Sequence, residues 1–119
     1  APTAALFALR FGLLGPLAEE VLWRGVIYSG LRARLSAVPA AVACSLGFVS
    51  WHLLVGWRAL PALLLHYVFS LAACWLTERE RSLWPAIALH VVGNTCALAV
   101  YALLTVRPNE VLYVLGLPR

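Results

Sequence analysis

Seven polar side chains lie inside the long apolar runs of this sequence, and their types and spacing could support chemistry. They are Glu19, Glu20, Arg24, His52, His66, His90 and Asn94. Ionisable groups are costly to place in apolar surroundings of this kind and usually serve a function there. Carboxylates and imidazoles exchange protons with water and substrates, so these residue types suit general acid–base catalysis.

The first group is the stretch PLAEEVLWRG, residues 16–25, which carries two adjacent glutamates. Glu20 and Arg24 are four residues apart, so they share one helix face and are expected to form a salt bridge. Glu19 points about 100° away from Glu20 around the helix, and Trp23 stands four residues after it. Apolar surroundings make a carboxylate a stronger base, so Glu19 is the candidate general base.

The second and third groups are FVSWH and HVVGN. Phe48 and His52 are four residues apart, as are His90 and Asn94, so each pair shares a helix face. Taken singly, each histidine is more often a hydrogen-bonded core residue than a catalytic one. Polar residues that are energetically costly in apolar surroundings occur on three separate helices, and this favours a common site. At a rise of about 1.5 Å per residue, Glu19, His52 and Asn94 each lie roughly 20 Å from one end of their helices, so a common depth is possible.

Two further sets of residues are predicted to be structural. His66, in LLLHYVF, fits none of these pairs and is expected to be a structural or cavity-lining side chain. The three cysteines lie in apolar runs without a CxxC spacing, so we expect buried apolar side chains at Cys44, Cys74 and Cys96.

The composition indicates whether water or lipid surrounds the chain and its polar residues. Of the 119 residues, 63% are hydrophobic and 12% are charged, and the mean hydropathy is +0.88. A soluble domain is typically about 45–50% apolar and about 25% charged, so the lipid bilayer is the expected surrounding. The net charge of +4 comes from arginines near the ends of apolar runs, which is typical of membrane flanks, and we expect no nucleic-acid partner.

The pattern of apolar runs predicts an all-α fold. A polytopic transmembrane bundle of four to five helices is expected, with an intramembrane polar cavity, because a backbone in lipid must satisfy its own hydrogen bonds. Residues 1–119 are expected to form one membrane-embedded domain, and the lack of an initiator methionine is expected of a fragment or a processed form. The predicted helices are Thr3–Leu14, Pro16 to Arg32–Arg34, Ala37–Trp57, Leu60–Leu76 and Leu83–Val106, with a further element starting in RPNEVLYVLGLPR.

The three motifs, in this order, resemble the CAAX protease and bacteriocin-processing family of intramembrane proteases, also called the abortive-infection or Rce1-like family. Its members carry EExxxR, then FxxxH, then HxxxN on successive helices, and SLWPAIALH before the last motif is similar to the family's stretch there. The resemblance covers roughly residues 10 to 100. His66 departs from it, since the family is generally apolar at that position.

The resemblance implies an intramembrane endopeptidase in which Glu19 activates water and His52 positions or deprotonates that water. His90 and Asn94 would stabilise the developing oxyanion. Glu20 counts among the catalytic residues, and with Arg24 it holds the helix end, while Phe48 supports the site. Family members are commonly called metalloproteases, and Zn²⁺ held by Glu19, His52 and His90 is one alternative. A metal-free glutamate mechanism is the other.

Three functions are compatible with these residues. The first is an endopeptidase acting on a prenylated CAAX protein, a bacteriocin leader or another membrane-associated protein or peptide. The second is a non-catalytic membrane scaffold or immunity-type partner that uses the same fold. The third is a transporter fragment, which ranks last because the sequence has no internal repeat. Membrane lipid is the expected environment in each case, and a prokaryotic plasma (inner) membrane is the expected location.

Overall fold

The computed structural model describes residues 2–56 and 59–105, and within these ranges the chain is helical with no strand. The helices are α1 (Pro2–Leu9), α2 (Gly15–Glu20), α3 (Ser29–Arg32), α4 (Ala37–Leu54), α5 (Leu60–Glu80) and α6 (Trp84–Thr105), and the π-helical segments Arg10–Leu14 and Val21–Tyr28 join the first three. Residues 2–32 are therefore helical throughout, and the described chain has four separate helical stretches. The all-α prediction and the helix count are confirmed.

The predicted break between the first two helices, at Gly15 and Pro16, is wrong. The Arg10–Leu14 segment has π-helical geometry, and the Gly15 N–H bonds to the Arg10 carbonyl five residues back. In this wider turn a proline, which has no N–H to donate, is accommodated without ending the helix. A Cβ atom on Gly15 would lie 2.9 Å from the Arg10 oxygen, so the turn requires glycine.

Three helices are long and apolar enough to cross a membrane, judged by length and composition. They are Ala37–Leu54, Leu60–Glu80 and Trp84–Leu103, with mean hydropathies of 1.6, 1.6 and 1.7. At most 28% of the most apolar window of each helix is buried within the protein. Most of each helix surface is therefore apolar and outward-facing, which suits contact with lipid rather than with water.

The chain divides into two compact units. One comprises residues 1–18 and 88–119, and the other comprises residues 19–87. The single domain predicted over residues 1–119 stays a prediction. The predicted ends at Trp57 and Val106, and the further element after them, lie outside the described residues.

In the unit of residues 19–87, the buried core joins the π-helical segment to α4 and α5. Its members are Trp23, Tyr28, Ala40, Cys44, Phe48 and Cys74. Gly47 on α4 allows the Trp23 ring to pack closely against that helix, because a Cβ at this position would lie 3.0 Å from the ring. Cys44 and Cys74 are buried as predicted, whereas Cys96 is exposed, because it lies on an outward-facing part of α6.

Helix α5 extends one turn beyond its predicted end at Leu76. Within this turn, the Glu78 carboxylate accepts hydrogen bonds from Arg32 at 2.7 and 2.9 Å and from the Tyr28 hydroxyl at 3.0 Å. These bonds tie the helix of residues 19–32 to α5. The helix ends at Glu80, and the residue that follows, Arg81, has a left-handed φ of 49°.

Candidate active site

The two adjacent glutamates lie at the end of α2, directly before the π-helical segment Val21–Tyr28. Glu20 is fully buried, and the side chain of Glu19 is 32% exposed. Successive residues of a helix point in different directions, so the two carboxylates face different neighbours. π-helical turns often occur at functional sites because they turn side chains away from the ordinary helical register.

Arg24 connects three helices of the unit through its guanidinium group. Nη1 donates to Glu20 Oε1 at 2.9 Å, so the salt bridge predicted from the spacing is present. Nη2 donates to the hydroxyl and carbonyl oxygens of Ser70 on α5, at 2.9 and 3.2 Å. The guanidinium also lies over the rings of Phe48 and Phe69, 4.8 and 5.5 Å from their centroids. Because both charges are fully buried, this pair fixes the rotation of its helix against α4 and α5.

Glu19 faces His52, which α4 supplies. Glu19 Oε2 and His52 Nε2 are 3.9 Å apart, and the His52 side chain is only 9% exposed. The structure therefore brings together the predicted base and the first predicted histidine. The distance is longer than a direct hydrogen bond, which is typically 2.7–3.2 Å.

The position of His52 is fixed through its other ring nitrogen. Nδ1 lies 2.9 Å from the Phe48 carbonyl oxygen, one turn back on α4. A carbonyl only accepts hydrogen bonds, so Nδ1 carries the proton, and in the neutral ring Nε2 presents its lone pair. The Phe48 ring packs on the imidazole with a centroid distance of 4.4 Å. The FxxxH spacing thus supplies both a hydrogen-bond acceptor and a packing surface to His52.

His66 on α5 also belongs to this group, which the sequence reasoning missed. Its ring centroid lies 4.3 Å from that of His52. Two of its neighbours on α5, Phe69 and Ser70, contact Arg24. One signal in the sequence was available: His66 and Ser70 are four residues apart, the spacing of the polar pairs Glu20–Arg24 and His90–Asn94.

His90 and Asn94 lie on α6, in the unit of residues 1–18 and 88–119. His90 is buried. The Asn94 amide nitrogen donates to the Phe11 carbonyl oxygen at 2.9 Å, within the π-helical segment Arg10–Leu14. This hydrogen bond gives Asn94 a structural role in its unit. That His90 and Asn94 meet Glu19 and His52 stays a prediction.

Zinc takes at least three protein ligands. Over residues 2–56 and 59–105, no group of three or more histidine, cysteine, aspartate or glutamate side chains is arranged to hold a metal ion. Whether His90 joins Glu19 and His52 as the third ligand of the predicted zinc set stays a prediction. Glu19 and His52 converge as two donors, which is too few.

A cavity of about 470 Å³ lies in the unit of residues 19–87, next to the Tyr28–Arg32–Glu78 cluster. Its lining residues are Gly25, Tyr28, Ser29, Arg32, Thr77, Glu78, Arg81, Ser82 and Leu83. None of the predicted catalytic residues lines it. The intramembrane polar cavity expected around Glu19 stays a prediction.

Comparison with known proteins identifies one family. The family described as type II CAAX prenyl endopeptidase, Rce1-like, matches residues 1–96, a range that contains all three motifs. No curated protein and no solved structure matches the chain. The family resemblance is confirmed. Together with the three apolar helices, the match supports an integral membrane protein.

Proposed function

The chain belongs to the Rce1-like family of type II CAAX prenyl endopeptidases, and from this premise we propose that it is an intramembrane endopeptidase in which Glu19 and His52 activate water. Membership of this family supports a CAAX-type protease activity. The observation that carries the proposed mechanism is the 3.9 Å separation of Glu19 Oε2 and His52 Nε2.

The separation suits a water molecule held between two bases. For a water oxygen about 2.8 Å from both Glu19 Oε2 and His52 Nε2, the angle at the oxygen between these two atoms is roughly 90°. This is close to the angle between the two O–H bonds of water. Each hydrogen then points to one base, at Glu19 Oε2 or His52 Nε2, and a lone pair of the oxygen is left to attack a carbonyl carbon. Removal of one proton as the attack proceeds is general-base catalysis.

The proposed steps balance with the side chains of this chain. The water oxygen bonds to the scissile carbonyl carbon, and its proton passes to Glu19 or His52. The oxyanion that forms needs hydrogen-bond donors, the role that the family resemblance assigns to His90 and Asn94. The C–N bond then breaks and the leaving nitrogen takes the proton back. The products are a carboxylic acid and an amine, which exchange a proton to give a carboxylate and an ammonium group.

The surroundings of the site suggest the class of substrate. Glu19 and His52 belong to a protein with three helices that are long and apolar enough to cross a membrane and whose outer surfaces are apolar, so a substrate reaches them from or along the bilayer. We therefore propose a membrane-associated substrate, with a prenylated CAAX protein or peptide as the first class to test. A prokaryotic plasma membrane is the proposed location.

The proposal is tested in proteoliposomes with a fluorogenic prenylated CAAX peptide. Glu19→Gln and His52→Gln each remove one base while nearly keeping its size, and a positioned base typically contributes about 10²–10⁴-fold to the rate. Glu80→Gln is the matched control, since Glu80 is half-exposed and paired with Arg79 at 3.3 Å. We expect the first two variants to lose at least about 100-fold in kcat and the control to keep its activity.

Two outcomes would contradict the proposal. Cleavage that survives both Glu19→Gln and His52→Gln would show that other residues activate the water. A folded wild-type protein that cleaves neither prenylated peptides nor bacteriocin leader peptides would leave the non-catalytic scaffold as the function.

A further inference from the structure

A second imidazole packs against the His52 ring, and the proposed reaction does not use it. The ring centroids of His52 and His66 are 4.3 Å apart, with 43° between the ring planes. Phe48 packs on His52 at 4.4 Å, whereas Phe48 and His66 are 6.2 Å apart. The His52 ring therefore has one aromatic neighbour from its own helix and one from α5.

His66 is held in the same way as His52. Its Nδ1 lies 2.6 Å from the Ala62 carbonyl oxygen, one turn back on α5. Because the carbonyl accepts, Nδ1 of His66 is the donor, and this bond holds one edge of a half-buried ring. A flexible apolar side chain at this position would offer neither the flat face nor the hydrogen bond to the backbone.

We infer that His66 is a positioning residue of the Glu19–His52 pair, whose fixed ring packs against His52 and keeps Nε2 directed at Glu19. This inference rests on the proposed function. The hydrogen bond from His52 Nδ1 to the Phe48 carbonyl fixes one edge of the ring but leaves the ring free to tilt about that bond. Contact with Phe48 on one side of the ring and with His66 on another restricts this tilt.

The first test reads the His52 ring directly and needs no turnover. Nitrogen-15 NMR of histidine-labelled protein in bilayers reports which ring nitrogen carries the proton, and His52→Gln identifies the signal. We expect one population in the wild type, protonated at Nδ1, and a second population or broadening in His66→Ala. Leu65→Ala is the control, because Leu65 precedes His66 on α5 and is 68% exposed.

The second test uses cleavage of the prenylated peptide. A misplacement of about 1 Å can cost about 100-fold in rate, so we expect His66→Ala to lower kcat by roughly 10- to 100-fold, with KM changed less than about threefold. His66→Phe keeps a flat ring against His52, and we expect it to recover most of that loss. Leu65→Ala should retain the kcat and KM of the wild type.

The inference is overturned if the His66→Ala variant has the same His52 NMR signal and the same kcat as the Leu65→Ala variant. It is also overturned if His66→Phe is folded yet as impaired as His66→Ala, because ring packing would then not be the contribution. If the wild type cleaves no peptide, the proposed function fails, and the His52 spectra still decide whether His66 positions the ring.

Discussion

Replacement of Arg24 by leucine should strongly destabilise the packing of the helix of residues 19–32. Arg24 is fully buried with Glu20, so the change leaves a buried carboxylate without its cation. Removing one partner of a buried pair typically costs about 3–5 kcal/mol. The two bonds to Ser70 and the contact with the Phe48 ring are lost as well, but these terms are not additive with the first. We therefore expect a loss of about 3–5 kcal/mol in the free energy of unfolding.

The measurement is reversible unfolding in mixed micelles with increasing SDS, followed by tryptophan fluorescence. Arg79→Leu is the matched control: Arg79 is 63% exposed and paired with Glu80, so its loss should cost less than about 1 kcal/mol. The double variant Glu20→Gln/Arg24→Leu should be more stable than Arg24→Leu alone, because it no longer buries an uncompensated charge. A loss within about 1 kcal/mol for Arg24→Leu, or no recovery in the double variant, would refute the reasoning.

Three further predictions follow from single contacts. Gly47→Ala places a Cβ 3.0 Å from the Trp23 ring, so we expect a loss of about 1–3 kcal/mol in the unfolding assay, whereas Gly30→Ala, with no atom within 4 Å, should not destabilise the protein. Asn94→Ala removes the hydrogen bond to the Phe11 carbonyl, and the same assay should show a loss of about 1 kcal/mol. Glu19 and His52 supply two of the three or more protein ligands that zinc takes. If zinc is used, elemental analysis should find one zinc per chain that His90→Ala removes, whereas the metal-free alternative predicts no stoichiometric zinc and cleavage that survives chelators.

The features that the sequence predicted correctly are those set by local spacing and composition. Glu20 and Arg24 meet because residues four apart share a helix face. The helices themselves follow from long apolar runs, since a backbone in lipid has few alternatives. The prediction of a break at Gly15–Pro16 was wrong because a π-helical turn accommodates the proline. That turn depends on the hydrogen bond from the Gly15 N–H to the Arg10 carbonyl.

The role of His66 could not be derived from spacing along one helix. Its contact with His52 depends on how α4 and α5 are rotated and shifted against each other. That arrangement is set by the buried core, for example by Gly47, which lets the Trp23 ring approach α4. Two imidazoles 14 residues apart in the sequence thus become neighbours through packing that no local pattern encodes.

The two adjacent glutamates have separate roles that depend on each other. A buried ion pair is often no more stabilising than apolar packing, so the value of Glu20–Arg24 lies in the geometry that it imposes. Arg24 reaches Ser70 only if its helix has one particular rotation, and that rotation turns Glu19, the neighbour of Glu20, towards His52. Loss of the Arg24–Ser70 contact should therefore misdirect Glu19 even where the fold survives. Ser70→Ala keeps the ion pair and the Ser70 carbonyl acceptor. Expressed as free energies, its effect on kcat should therefore be larger than its effect on the free energy of unfolding.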